Sequence, residues 1–148
     1  MTMSSFVYVT FIRTSPEKLW KALTEPEFTR LYWSGMHQES DWTPGATWKL
    51  VFPDGRVADA GEVVEADRPR RLVLKWRNQF KSELAAEGDS RCTIEIEPEG
   101  EIARLIITHT IEREDSKLIQ AVSGGWPRIL SNLKTLLETG KVLLPADA

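Results

Sequence analysis

The sequence predicts an α+β fold in which a curved antiparallel sheet wraps around one long C-terminal helix. Three observations carry this. The elements run strand, helix, helix, several strands, helix, and consecutive hairpins with a single terminal helix exclude the strand-helix alternation of parallel sheets. Turn chemistry at Pro44-Gly45, Pro53-Asp54-Gly55 and Pro98-Glu99-Gly100 separates short β-rich runs. A final apolar stripe recurs at spacings of three and four over about six turns.

The first element, FVYVTFIR over 6–13, is rich in β-branched and aromatic residues and reads as a strand. Ser15 then caps a helix with Pro16 at its first position and Glu17 against the helix dipole, and Leu19, Trp20 and Leu23 form its buried stripe. Thr24 and Glu27 stand in capping-box spacing around Pro26, which predicts a second short helix to about Tyr32. Segments 46–52 and 56–66 pair as a hairpin across Pro53-Asp54-Gly55. Asp59 and Gly61 interrupt the second of these, and Gly61 is expected as a bulge or curvature device. In the next strand Leu72, Leu74 and Trp76 share one face. Segment 78–90 is polar, lacks alternation and is expected as a loop bordering a pocket. Cys92, Ile94 and Ile96 alternate in the following strand, and its partner over 102–111 places Leu105, Ile107, His109 and Ile111 inward by the period of two.

The last helix begins at Asp115 or Ser116. Its stripe comprises Ile119, Val122, Trp126, Ile129, Leu130, Leu133, Leu136 and Leu137, and Gly140 stops it. Within it SGGWPRIL, 123–130, carries two glycines and a proline. Pro127 removes a helical N–H and crowds the Ser123 carbonyl, so one kinked helix is expected, with Gly124 and Gly125 approaching the sheet closely and Trp126 projecting inward.

The chain of 148 residues suits a single domain, 1–148, with its core over about 6–139 and a loose tail over 141–148. A formal net charge of −3 gives no electrostatic reason to expect nucleic acid or an anionic membrane as partner. The lone Cys92 cannot form an intramolecular disulfide, and no signal-like or membrane-spanning apolar run occurs, so a cytoplasmic protein, monomer or homodimer, is expected.

The common nucleophile, phosphate-loop, dinucleotide and zinc-protease motifs are absent, and no cofactor is assigned. One cysteine and two histidines cannot build the usual zinc sets, and the nearest metal-like pattern, His37, Glu39 and Asp41, reads as a solvated edge or loop. No metal is expected. His109, buried among aliphatic residues, reads first as a satisfied, neutral core or cavity-wall histidine and second as a polar anchor for a ligand. The sheet's curvature leaves a concave gap too wide for side chains alone to fill. Trp33, Trp76 and Trp126, with Trp48, Phe52, His109 and Leu130, form the candidate ligand-binding set for that cavity, because small-molecule pockets are mostly apolar with a few placed polar groups.

Three stretches carry a family resemblance: TSPEKLWKALTEPEFTRLYW, PGATWKLVFPDGRVADAGEVVEADRPRRLVLKW and GGWPRILSNLKTLLE. Together they make the chain resemble the SRPBCC (START-like) superfamily over about residues 6–139, in the branch related to the activator of the heat-shock-protein-90 ATPase. The resemblance implies the helix-grip (START/Bet v 1-like) fold, with a hydrophobic cavity between the sheet and the C-terminal helix. The first functional expectation is a binding module for a small hydrophobic molecule, without catalysis. Two alternatives rest on the superfamily: a co-chaperone that stimulates a chaperone ATPase by protein contact, and a cyclase or aromatase-type enzyme using His109 as proton shuttle. The eukaryotic activators carry a further N-terminal domain that this sequence does not show.

Overall fold

The computed structural model describes residues 2–145. Strand β1 (Ser4–Ile12) alternates as its sequence predicts, with Phe6 and Tyr8 turned towards the core and Val7 and Val9 exposed. Helix α1 (Pro16–Thr24) starts at the expected cap, where Ser15 Oγ accepts the Lys18 N–H at 3.2 Å. Helix α2 (Pro26–Tyr32) follows, but the expected capping box does not form. Thr24 is instead the last residue of α1, and Glu25 precedes α2 without a side-chain cap. The reason is burial: the Thr24 hydroxyl, removed from water, donates to the Trp20 carbonyl one turn back at 2.8 Å.

The remaining strands are β2 (His37–Ser40), β3 (Thr47–Val51), β4 (Val57–Asp67), β5 (Arg71–Asn78), β6 (Ser90–Glu99) and β7 (Ile102–Ile111). All seven form one antiparallel sheet in the order β1-β7-β6-β5-β4-β3-β2. Strand β4 bends it. The register shifts at Ala58 against β3 and at Val64 against β5, and each extra residue adds local twist. Gly61 is at neither shift. It pairs in regular register with Trp48 on one side and Trp76 on the other, and a Cβ there would lie 1.7 Å from the Lys75 carbonyl oxygen. Its role is therefore to let β5 approach β4 closely, and the expected bulge lies at Ala58 and Val64 instead. Between β5 and β6 the expected loop holds a single helical turn, α3 (Ser82–Ala85).

Helix α4 (Lys117–Thr139) runs unbroken through Gly124, Gly125 and Pro127. Ser116 is the cap, its Oγ accepting the Ile119 N–H at 3.1 Å, and Gly140 ends the helix in the left-handed conformation at φ 83°. The two helix glycines do not do what their sequence suggests. A Cβ on Gly124 or Gly125 would meet nothing within 4 Å, so neither marks a close approach to the sheet. The tail is also less loose than expected. Asn132 donates to the Leu144 carbonyl at 2.9 Å and accepts its N–H at 2.7 Å, fastening the chain across α4; residues 146–148 of the expected tail lie outside the described residues.

The core lies between α4, α1 and the concave face of the sheet, with Leu19, Leu74, Leu105, Ile107 and Leu133 each without exposed surface. This is the helix-grip arrangement. Among the described residues no helix is long and apolar enough to cross a membrane.

Candidate functional site

Between α4 and the β3 to β5 side of the sheet lies a recess of about 220 Å³. Each wall follows from a local feature of the sequence. Helix α4 contributes Leu118, Val122, Gly125, Trp126 and Ile129, which the three-and-four spacing puts on one face. The sheet contributes Leu50, Ala58, Asp59, Trp76 and Asn78, with Phe52 just past β3. Trp33 and Met36 enter from the connection after α2, and Phe80, Lys81 and Leu84 from the segment between β5 and β6, which thus borders the recess as its composition suggested. At Gly125 the helix presents backbone with open space beside it, so the missing side chain widens the recess.

Of the seven residues singled out from the sequence, Trp33, Phe52, Trp76 and Trp126 line the recess. Trp48, His109 and Leu130 are fully or almost fully buried and stand behind that lining. The aromatic rings form one cluster. Ring centroids are 5.3 Å apart for Trp33 and Trp126, 5.8 Å for Trp76 and Trp126, and 4.4 Å for Trp48 and Trp76. Trp48 and Trp76 sit on strands that flank β4, and their rings meet across it beside Gly61, the position that carries no side chain.

His109 is held by a complete chain of hydrogen bonds from helix to sheet. The Trp126 indole, which can only donate, gives its Nε1–H to His109 Nδ1 at 3.2 Å. The imidazole proton is therefore on Nε2, facing Ser90 Oγ at 2.8 Å, and the Ser90 hydroxyl in turn donates to the Trp76 carbonyl at 2.9 Å. Burial pushes the imidazole down to about 4, so it is neutral at physiological pH. Both ring nitrogens are occupied, and neither offers a free lone pair to the recess.

The buried acidic group that faces the recess is Asp59. It is 7% exposed, and burial pushes its carboxyl up to about 6, against partial relief from Trp76 and Asn78. Neither neighbour makes a hydrogen bond of normal geometry with it. The Trp76 Nε1–H is buried without an acceptor, and Asn78 Oδ1 is engaged by the backbone N–H groups of Phe80 and Lys81. Asp59 alternates regularly with Gly61 and Val63, and the shift at Ala58 turns that residue inward beside it, so two consecutive residues face the recess. The available signal was the period of two, which puts Asp59 on the face of Gly61 and Val63.

The segment after α3 is tied to the start of α4. Glu87, beyond α3, accepts the Ser116 hydroxyl at 2.6 Å and the Lys117 N–H at 2.8 Å, so it caps α4 from outside the helix. Burial alone would raise its carboxyl, but these hydrogen bonds outweigh that and hold it below the ordinary carboxylate value. Elsewhere, His37 Nε2 meets Glu39 Oε2 at 2.8 Å on β2, while Asp41 lies beyond the strand.

Residues 13–138 match the family described as "Activator of Hsp90 ATPase homolog 1-like protein". No curated protein sequence matches the chain. Among solved structures, protein MLL2253 from Mesorhizobium loti is 22% identical with a TM-score of 0.78, covering 94% of this chain and 100% of that one. The Aha1 dimer from Colwellia psychrerythraea is 19% identical with a TM-score of 0.75, covering 93% and 98%. PFC0360w of Plasmodium falciparum, described as an HSP90 activator, is 24% identical with a TM-score of 0.71, covering 90% and 96%. At these identities the likeness establishes the shared fold.

Proposed function

The chain belongs to the family of activator of Hsp90 ATPase homolog 1-like proteins, and on that premise we propose that it binds a small hydrophobic molecule in the recess between α4 and the sheet. The observation that carries this reading is a wall of five aromatic rings, Trp33, Phe52, Trp76, Phe80 and Trp126, around about 220 Å³. That volume lies between a cavity of ~150 Å³ that holds benzene and the ~300–1,000 Å³ of drug-sized sites. A ligand of one or two rings fits it. Binding is favoured over conversion because the neutral, doubly bonded His109 has no proton to shuttle towards the recess. A cytoplasmic setting belongs to the same reading, which the single buried Cys92 suits; cell fractionation checks it.

Titration of the protein with one- and two-ring aromatics, followed by NMR at the Trp76 and Trp126 indole N–H signals, tests the proposal. Saturable shifts at both indoles support it. Absence of shifts at millimolar ligand, or shifts that persist when Gly125→Leu fills the recess, would count against it.

A second reading, stimulation of a heat-shock-protein-90-type ATPase, is favoured by the family's description and by that of the Plasmodium neighbour. It predicts that the protein raises the ATPase rate of a chaperone from the same cell, and an unchanged rate with saturating protein would remove it. The description of the Colwellia structure as a dimer makes a homodimer the form to look for first, by light scattering.

A further inference from the structure

Resting on the binding reading above, we propose that the recess selects a small aromatic ligand bearing one ammonium group, with Asp59 as the anion that receives it. The argument begins with what a buried carboxylate requires. Charged groups removed from water are ordinarily paired, since an unpaired one loses its hydration without compensation. Asp59 is 7% exposed, and among the described residues no ion pair involves it. Its neighbours Trp76 and Asn78 are neutral donors that approach outside normal hydrogen-bond geometry.

The surroundings complement a cation in a second way. The rings of Trp33, Trp76 and Trp126 converge on the same space, and aromatic faces carry the negative end of the ring quadrupole. A carboxylate at one wall and aromatic rings at the others favour an organic ammonium over its neutral isostere, and disfavour an anionic ligand. The other titratable groups nearby do not reverse this. Lys81 lines the recess but is exposed and lies over the Phe80 ring at 5.8 Å, and His109, behind Trp76, is neutral. Arg56, over the Phe52 ring at 5.0 Å, is paired with Asp54.

The experiment compares three probes of one size, benzylammonium, benzyl alcohol and benzoate, by calorimetric titration near pH 7.5 with NMR at the Trp76 and Trp126 indoles to locate them. Benzylammonium is expected to bind at least tenfold more tightly than benzyl alcohol, and benzoate not at all. Asp59→Asn, which removes a buried charge and so should fold, is expected to erase the ammonium preference, so that benzylammonium and benzyl alcohol bind within about twofold of each other. Equal binding of alcohol and ammonium in the native protein, or a preference that survives Asp59→Asn, overturns the inference and leaves the hydrophobic-recess reading standing. Failure of all three probes to reach the indoles overturns both. If Gly125→Leu leaves benzylammonium binding unchanged, the ammonium site lies elsewhere and the assignment to Asp59 fails.

Discussion

Gly61→Ala adds a single methyl group, and its consequence follows from one distance. The new Cβ would lie 1.7 Å from the Lys75 carbonyl oxygen and 2.6 Å from its carbon, both backbone atoms of β5. Ordinary C···O contacts begin near ~3.3 Å, so the two strands would have to part by roughly 1.6 Å at this point. A ladder hydrogen bond of ~2.9 Å does not survive that separation. Loss of two such bonds, with buried groups left unpaired, costs about 3–5 kcal/mol, and the Trp48–Trp76 contact across β4 is disturbed as well. Against a typical stability of ~5–15 kcal/mol, this brings the domain close to unfolding. Urea titration followed by tryptophan fluorescence and far-UV circular dichroism measures it. A loss below about 1 kcal/mol with an unchanged denaturant slope would refute the reasoning, since it would mean that β4 and β5 can separate at little cost.

Other perturbations test the remaining claims. Gly124→Ala should have the opposite sign, raising stability by about 1 kcal/mol and the melting temperature by ~2–4 °C, because its Cβ meets nothing and the helix gains propensity; differential scanning calorimetry reads it. Asp59→Asn should stabilise the protein at pH 7.5 by up to about 3 kcal/mol, from a carboxyl raised from 3.8 to about 6. Because the native state then binds the extra proton between those values, Asp59 becomes less unfavourable as pH falls, and the variant's advantage should vanish near ~pH 4 in urea titrations. His109 acts in the other direction: lowered from 6.5 to about 4, it contributes stability above ~pH 6.5 that is lost as pH falls towards its native value. Asp59→Asn should therefore steepen the acid loss of stability between about pH 6 and 4, and an unchanged slope would show that the two groups do not offset each other. Glu87→Ala removes the outside cap of α4 and should cost about 1–2 kcal/mol above the ordinary carboxylate range. Since the native carboxyl is depressed, that contribution should disappear as pH falls through its titration, and hydrogen exchange at Lys117 and Leu118 localises it.

What was legible in the sequence was whatever a local period could encode. The inward set Leu105, Ile107, His109 and Ile111 is as the period of two placed it, and the Ser15, Pro16 and Gly140 signals mark true helix ends. The misreadings arose where a residue's partner is distant in the chain. Thr24 looked like a cap until burial beside Trp20 decided its hydrogen bond. Gly61 and the pair Gly124 and Gly125 have the same chemistry, yet one is pressed against β5 and the others face open space, a difference only the packed fold contains. The candidate site divides similarly. Trp33, Phe52, Trp76 and Trp126 were visible as aromatics on inward faces, whereas Asp59, on the face of Gly61 and Val63 by the same period, was obscured because an acidic residue reads as an interruption of an apolar strand.

The pairing of β4 with β3 gives the site an unusual dependence on residue number. Asp59 faces inward in alternation with Gly61 and Val63, and the extra residue Ala58 lets β4 keep register with β3 at Asp59 on one side and Val57 on the other. Deleting Ala58 would leave every other residue of the recess in the sequence, yet a one-residue slip exchanges the two faces of a strand. On one side of the cut the chain would have to choose between turning Asp59 outward and turning Val57 inward. Insertions and deletions at this point are therefore a route by which relatives of the same fold could gain or discard a charged recess without substituting any of its walls.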